Sequence, residues 1–414
     1  MTPPTWNTAT TLSRPFQNLA WSNLAAQSAE QISLAAVPMI AVLALGAGPG
    51  ETGLLAAAQT LPFLLLSIPA GIFADRASRA RLMVAAEALR AVSLLALVAL
   101  AVTGGLTIWL LAVLGFLGAA GTVVFSVAAP ALVPSLVPRE ALSAANSRLE
   151  LARSAAYAAG PALAGALVGW TGASSAFVLA TVLSASAVWL LVSVREPSRP
   201  APAQRHVGRE LREGAAFVWT HRLLRPIVAT TVAWNTAWFI LQAAYVPYAV
   251  RLLGLDAAGV GTTLAAYGAG MVVGSMLAPR IIRALRFGTA IVVGPLFSLA
   301  AALVMLVTLW VPSGVIAGFS FFLFGAGPVL WTISQITLRQ TVTPDALLGR
   351  VSALFMTASA GSRPLGAALG GAIGASFGLE ACIAVAAAGF MAQALAIVFS
   401  PLPALARLPR AAES

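Results

Sequence analysis

Long apolar runs and short charged gaps alternate along the whole chain. Apolar stretches recur at 17–44, 52–74, 82–103, 106–128, 145–169, 174–194, 225–250, 257–279, 288–310, 313–336, 347–375 and 379–400. Each is about as long as a helix must be to cross the hydrocarbon core of a bilayer. None alternates apolar and polar residues with the period of two that a membrane barrel strand requires. Turns containing glycine or proline separate most of them, at Gly46–Gly50, Gly104–Gly105, Gly172, Gly254 and Pro312–Gly314. The pattern predicts an all-α polytopic membrane protein with about twelve transmembrane helices.

Composition agrees. Hydrophobic residues make up 59% of the chain and charged residues 9%, against roughly 25% charged in a soluble domain. Lipid must be the solvent for such a sequence, and only elements that satisfy their own backbone hydrogen bonds can span it. The formal net charge is +11, and all 24 basic residues are arginine. They cluster in short loops between apolar runs, so the partner they imply is the bilayer and not nucleic acid. The loops after spans two, four, six, eight and ten hold Arg76, Arg79 and Arg81, then Arg139, then seven arginines from Arg195 to Arg225, then Arg280, Arg283 and Arg286, then Arg339. The opposite loops hold none except Arg251, at the edge of one. By the positive-inside rule, the arginine-rich loops and both termini face the cytoplasm. Met1–Arg14 lacks a signal-peptide pattern, so the first span is expected to target the chain to the membrane.

The longest polar stretch, Arg195–Gly214, divides the chain into a six-helix half (1–194), a linker (195–224) and a second six-helix half (225–414). Pro197, Pro200 and Pro202 make the start of the linker extended. From Gly208 to Arg225 it reads as a basic amphipathic helix with Leu211, Ala215 and Val218 on one face. Such a helix lies on the inner membrane surface or serves as a solvated connector. The halves repeat: Pro138 and Pro344, Leu142 and Leu348, Gly160 and Gly366, and Gly165 and Gly371 share one offset. Gly71 matches Gly274, but Asp75 falls opposite Ala278, so the acid belongs to the first copy alone. Two copies of the same topology imply a parallel repeat about an axis along the membrane normal.

On these residues the chain resembles the major facilitator superfamily. Within it, the chain is most similar to bacterial exporters of the enterobactin-exporter and macrolide-efflux type. Gly71-x-x-x-Asp75-Arg76-x-x-Arg79 is similar to the family signature between spans two and three, with Ser78 and Ala80 departing from it. Gly160-Pro161-Ala-Leu-Ala-Gly165 resembles the fifth-span motif of antiporters, with Ala164 replacing a glycine. Arg212-Glu213-Gly214 and Pro344-Asp345…Gly349-Arg350-Val351 also resemble this exporter group. The resemblance implies a secondary active exporter in the bacterial inner membrane, working by alternating access. It also implies that Gly71, Asp75, Arg76 and Arg79 form a cytoplasmic gate. Asp75 is expected to latch onto the positive N-terminal end of span eleven near Leu347–Arg350. Gly160, Pro161 and Gly165 are expected to bend or loosen span five where the halves rock.

Transport needs polar groups inside the bundle. Asn23, Gln27, Glu30 and Gln31 share one face of span one. Glu30 lies roughly 20 Å into the span, where a carboxylate is costly and faces the bundle interior. It is the candidate proton-coupling residue; the other reading is a structural acid paired with Arg153 or Arg363. Trp234, Asn235, Trp238, Gln242 and Tyr245 form a stripe on span seven, which suits a cavity for a bulky amphipathic solute. Arg363 has no close sequence partner and is a further candidate for solute or Glu30 contact. Glu87 and Arg90 read as a self-satisfied pair. The expected function is proton-coupled antiport of a small amphipathic solute such as a drug or siderophore. An importer or a lysophospholipid transporter on the same fold is the alternative.

An enzyme is not expected. The two histidines, His206 and His221, lie in the linker, and Cys382 stands alone, with no acid–base or metal cluster. No phosphate-binding loop is present, so no cofactor is expected and the proton gradient supplies the energy. No obligate protein partner is evident.

Overall fold

The computed structural model describes residues 13–138, 141–196 and 207–409, apart from the side chains of Asp75, Ser143, Ala173, Val207, Glu210, Leu211, Asp345 and Ala346. Arg139, His206 and the prolines of the linker fall outside it. The described residues form thirteen helices and no strand. They are α1 (Arg14–Leu45), α2 (Pro49–Arg76), α3 (Arg79–Thr103), α4 (Ile108–Leu136), α5 (Leu142–Thr171), α6 (Ala173–Val192), α7 (Val207–Thr220), α8 (Leu224–Arg251), α9 (Ala257–Ala284), α10 (Phe287–Val307), α11 (Gly314–Val342), α12 (Asp345–Phe377) and α13 (Leu379–Val398). Ten are long and apolar enough to cross a membrane. Of the others, α7 is the short linker helix, while α5 and α12 have spanning length, at 30 and 33 residues, but more polar positions.

Local chemistry sets the ends. Ser78, Thr107 and Ser313 each accept a backbone N–H from the first turn of the helix that follows, and Asp256 does the same for Gly259 at 2.7 Å. Gly46 and Gly104 close α1 and α3 with φ of 68° and 72°, which only glycine adopts without strain. Gly172 and Gly378 occupy the matching turns after α5 and α12, with φ of 91° and 89°.

Those twin turns belong to a complete repeat in packing. α1 packs on α5 and α6, as α8 packs on α12 and α13; α2 and α3 pack on α4, as α9 and α10 pack on α11. The two sets of six meet along two seams, α2 with α12 and α5 with α9. The repeated glycines carry the symmetry. A Cβ on Gly160 would lie 2.5 Å from Gln31 Cβ in α1, and one on Gly366 would lie 2.5 Å from Thr236 O in α8. A Cβ on Gly165 would lie 2.8 Å from Gly261 Cα across the α5–α9 seam. One on Gly371 would lie 2.9 Å from Gly53 Cα across the α12–α2 seam. Small residues let helix backbones close to this distance in a medium that offers no hydrophobic drive.

Two expectations are corrected. The loop expected at 75–81, between spans two and three, is mostly helix: α2 runs to Arg76 and α3 starts at Arg79, leaving Ala77 and Ser78 between them. Charges at the water interface extend a helix as readily as they break it, so a charged run did not mark the end. The fifth span continues through Pro161 as one helix, α5, and Gly160 and Gly165 lie where α1 and α9 approach it closely. The linker helix ends at Thr220, and Arg225 belongs to α8. One face of that helix is taken by protein: Val218 is buried with Leu224, Val351 and Phe355, and Gly214 lies against the Arg350 carbonyl.

Candidate functional site

The polar face of α1 meets polar groups from three other helices where the two seams converge. Glu30 is half-buried and has no ion pair or hydrogen bond to another side chain among the described residues. It feels the charges of Arg90 and Glu87 on α3, Arg153 on α5 and Arg363 on α12. Arg363 interacts electrostatically with Tyr157 of α5, Tyr267 of α9 and Glu30. Its guanidinium lies 5.0 Å from the Phe63 ring of α2 and 5.8 Å from Phe239 of α8, and its Nε has no hydrogen-bond partner. A mid-membrane cation is thus held by ring faces from both sets of helices and left without a carboxylate of its own.

Other charges in the region are accounted for. Glu87 and Arg90 are fully buried and 2.9 Å apart. Arg90 also donates to the Ala26 carbonyl at 2.9 Å and to Thr122 Oγ1 at 2.5 Å, while Ser184 donates to Glu87 at 2.8 Å. This pair ties α1, α3, α4 and α6 together. Arg153 donates to Glu150 from Nε at 3.0 Å. These two side chains are 42% and 58% exposed, so water reaches them from the arginine-rich end.

Asn23 and Gln27 line a cavity of about 340 Å³ with Ser126, Asn146, Glu150 and Arg153. Asn23 donates to the Leu149 carbonyl at 3.3 Å. Gln31 is buried and its Nε2 has no partner. Asn146, Glu150, Arg153 and Tyr157 complete the site from α5. Their spacing of four, three and four is a polar stripe as regular as the one on α1; that spacing was the signal by which they could have been found. Tyr267 had none, because a lone tyrosine on an apolar helix is silent about its neighbour. Its ring sits 6.2 Å from Tyr157 across the seam and 5.1 Å from Trp238.

The stripe on α8 is placed differently from expectation. Tyr245 is fully buried among the last six helices, its hydroxyl 2.5 Å from Thr263 Oγ1 and its ring 4.5 Å from Phe321. Trp238 is buried against Tyr267, Phe321 and Phe324. Trp234 donates to Ser298 on α10 at 3.1 Å and stacks on Trp238. Asn235 is buried and bonded to the Thr231 carbonyl at 2.9 Å. In this structure Trp234, Asn235, Trp238 and Tyr245 pack among the last six helices instead of facing an open cavity. Periodicity shows that residues share a face, and α8 has four neighbouring helices to take it. Gln242 is half-buried, and Phe239 is the α8 ring that reaches Arg363.

Of the residues read as a gate, Gly71 has open space around it and Arg76 is exposed. Arg79 donates to the carbonyls of Ala74 and Ala131, within the first six helices. The Asp75 side chain lies outside the described residues.

Twelve long helices in a two-fold repeat, with polar and charged groups gathered where the repeats meet, define a multi-pass membrane transporter. The chain belongs to the Major Facilitator Superfamily, whose model matches residues 19–367. It is 26% identical over 411 residues to the multidrug efflux pump Tap of Mycobacterium tuberculosis, covering 94% of this chain and 92% of that protein. It is 28% identical over 273 residues to the enterobactin exporter EntS of Citrobacter koseri, covering 65% of this chain and 63% of that protein. With the uncharacterized MFS-type transporter y4rN of Sinorhizobium fredii it shares 30% identity, over 58% of this chain and 60% of that protein. Among solved structures, a nucleoside transporter NupG mutant superposes with TM-score 0.74 at 11% identity, over 93% of this chain and 99% of that one. A bacterial homologue of the iron transporter ferroportin, in an inward-facing state, gives 0.73 at 16% identity, over 93% and 98%.

Proposed function

We propose that the protein is a secondary active exporter of a small amphipathic solute, coupled to proton entry through Glu30. The observation that carries this reading is the placement of Glu30. Among the described residues it is a carboxylate with no ion pair, in the field of Arg90 and Glu87 on α3, Arg363 on α12 and Arg153 on α5, where helices of both repeats converge. A carboxylate locked in a salt bridge has no reason to exchange its proton. One that only feels nearby cations can take a proton from the outer side as solute leaves and release it to the cytoplasm when solute binds again. The relatives named as an efflux pump and a siderophore exporter support the direction of transport.

The conformation fits one stage of alternating access. Both seams are closed toward the arginine-poor end, at Gly53–Gly371 and Gly165–Gly261, while Glu150 and Arg153 are exposed nearer the other end. With the arginine-rich end in the cytoplasm of a bacterial inner membrane, as the positive-inside rule has it, this is an inward-facing state. Solute enters past Asn23, Gln27 and Asn146, whose amides bind polar groups of either sense.

The test is transport in inverted membrane vesicles, with an imposed pH gradient and a panel of antibiotics, dyes and siderophores. Addition of a transported compound should release protons from the vesicles. Glu30→Gln should abolish pH-driven transport while binding of that compound persists. Undiminished pH-driven transport by Glu30→Gln would refute coupling at this residue.

A further inference from the structure

A second site stands apart from the transport path. At the arginine-rich end, the C-terminus of α7, the start of α8 and the end of α13 enclose a cleft of about 500 Å³. Arg222 and Arg225 line it, both exposed, and neither guanidinium makes an ion pair or hydrogen bond among the described residues. Among those residues no carboxylate lines it. Some other arginines at this end find partners within the chain: Arg209 and Arg350 with Glu213, Arg79 with carbonyls. Two guanidiniums left open in one cleft, on a surface already rich in positive charge, call for an anion from outside the chain.

The shape of the cleft says what kind of anion. Its wall runs from the polar turn His221–Arg222 up to Ala229, five residues into α8, and Ala396, two residues before the end of α13. With the arginine-rich end at the cytoplasmic surface, a cleft that joins this turn to the ends of two spanning helices lies at the boundary between water and lipid. Trp219 and Phe399 flank it, 66% and 83% exposed respectively. Large rings exposed at that depth are bathed in headgroups and upper acyl chains, where tryptophan concentrates. His221 adds a donor. Its Nδ1 accepts the backbone N–H groups of Leu223 and Leu224 at 3.2 and 3.4 Å, so in the neutral ring the proton sits on Nε2. Ser400 adds a hydroxyl.

We infer that this cleft binds the phosphate headgroup of an anionic phospholipid, with Arg222 and Arg225 on the phosphate and Trp219 and Phe399 against the acyl chains. Basic pockets between membrane helices on this side recognise such headgroups by charge and donor geometry. A soluble anion such as inorganic phosphate shares the chemistry but not the apolar flank. The bound lipid would bridge α7, α8 and α13, joining the linker helix to the last six helices through a molecule of the bilayer.

Native mass spectrometry of the full chain in detergent tests this. Phosphatidylglycerol and phosphatidylcholine of matched chains are titrated separately, and inorganic phosphate is then added as a competitor. Phosphatidylglycerol should bind roughly 30-fold more tightly, at about fivefold per arginine. The Arg222→Gln/Arg225→Gln double variant should lose that preference. Arg212→Gln, which removes an exposed arginine from the opposite part of α7, should keep it. If the double variant folds poorly, Arg222→Gln and Arg225→Gln are measured singly and should each lose about fivefold. Retention of the preference by the variants would overturn the proposal. Displacement of the lipid by millimolar phosphate would also overturn it, in favour of a soluble anion.

Discussion

Arg251, at the end of α8, donates from Nη2 to the Ala47 carbonyl, just past α1, at 2.6 Å. It is the arginine that departs from the charge alternation along the chain, and the structure gives it a task. The bond joins the two sets of six helices at the arginine-poor end. A charge-assisted hydrogen bond to a carbonyl contributes about 1.5 kcal/mol at the low end of its range, less where water competes. Arg251→Ala should therefore shift the balance toward opening at this end by about five- to tenfold. Spin-label distances between α2 and α12 near Gly53 and Gly371 would register the shift.

The seam itself offers a stronger lever. A Cβ on Gly53 would lie 2.2 Å from Gly371 Cα, and one on Gly268 would lie 2.3 Å from Ala158 Cα. Neither backbone can yield without parting the helices. Gly53→Val and Gly268→Val should each disfavour the state closed at the arginine-poor end and slow transport at least tenfold. Labelling of single cysteines on the arginine-poor side should rise in a Cys382-free background. Unchanged labelling would mean that the seam repacks.

Two buried arginines should respond in opposite ways. Arg90 is bonded to Glu87, Ala26 and Thr122, so Arg90→Leu strands a buried carboxylate and should cost about 3–5 kcal/mol in thermal or denaturant stability. Replacing both partners with apolar residues should recover most of that loss. Arg363 touches only rings, worth about 0.5–2 kcal/mol in total. Arg363→Leu should leave stability nearly unchanged while reducing transport more than tenfold. A ligand-binding assay and a melting curve on the same preparation separate the two outcomes.

Acid should undock the linker helix. Glu213 accepts from Arg209 Nε at 2.9 Å and lies 2.5 Å from Arg350 Nη1, and these contacts, the Arg209 hydrogen bond foremost, hold its carboxyl below the usual carboxylate range. A lowered carboxyl value means that its contribution is complete above about pH 4.3 and is lost as pH falls through the folded value. Burial pushes the His221 imidazole below its ordinary value, so its cap on α8 also weakens as pH falls below about 6.5. Amide hydrogen exchange in α7 should rise on acidification. Glu213→Gln should raise it already at neutral pH and remove the lower-pH part of the response.

Much of this was legible along the chain. Twelve spans, the linker helix, the half-chain repeat and the polar face of α1 follow from period, length and charge, because the bilayer penalises every polar residue that lacks a reason to be there. The α8 stripe was visible too, but its partners were not. Trp238 and Tyr245 have the spacing of a cavity wall and the surroundings of a core, and only the neighbouring helices distinguish the two.

By itself the sequence determined which segments cross the membrane and that they do so as two copies of one unit. Hydropathy and helical period are properties of consecutive residues, and they suffice for that. The tertiary structure decided which charges are satisfied. Arg90 and Arg363 look alike in the chain, yet one finds partners on three helices, α1, α3 and α4, and the other stands at the convergence of both repeats against aromatic faces. Satisfaction of a charge depends on groups distant in sequence, and those meet only when the helices pack.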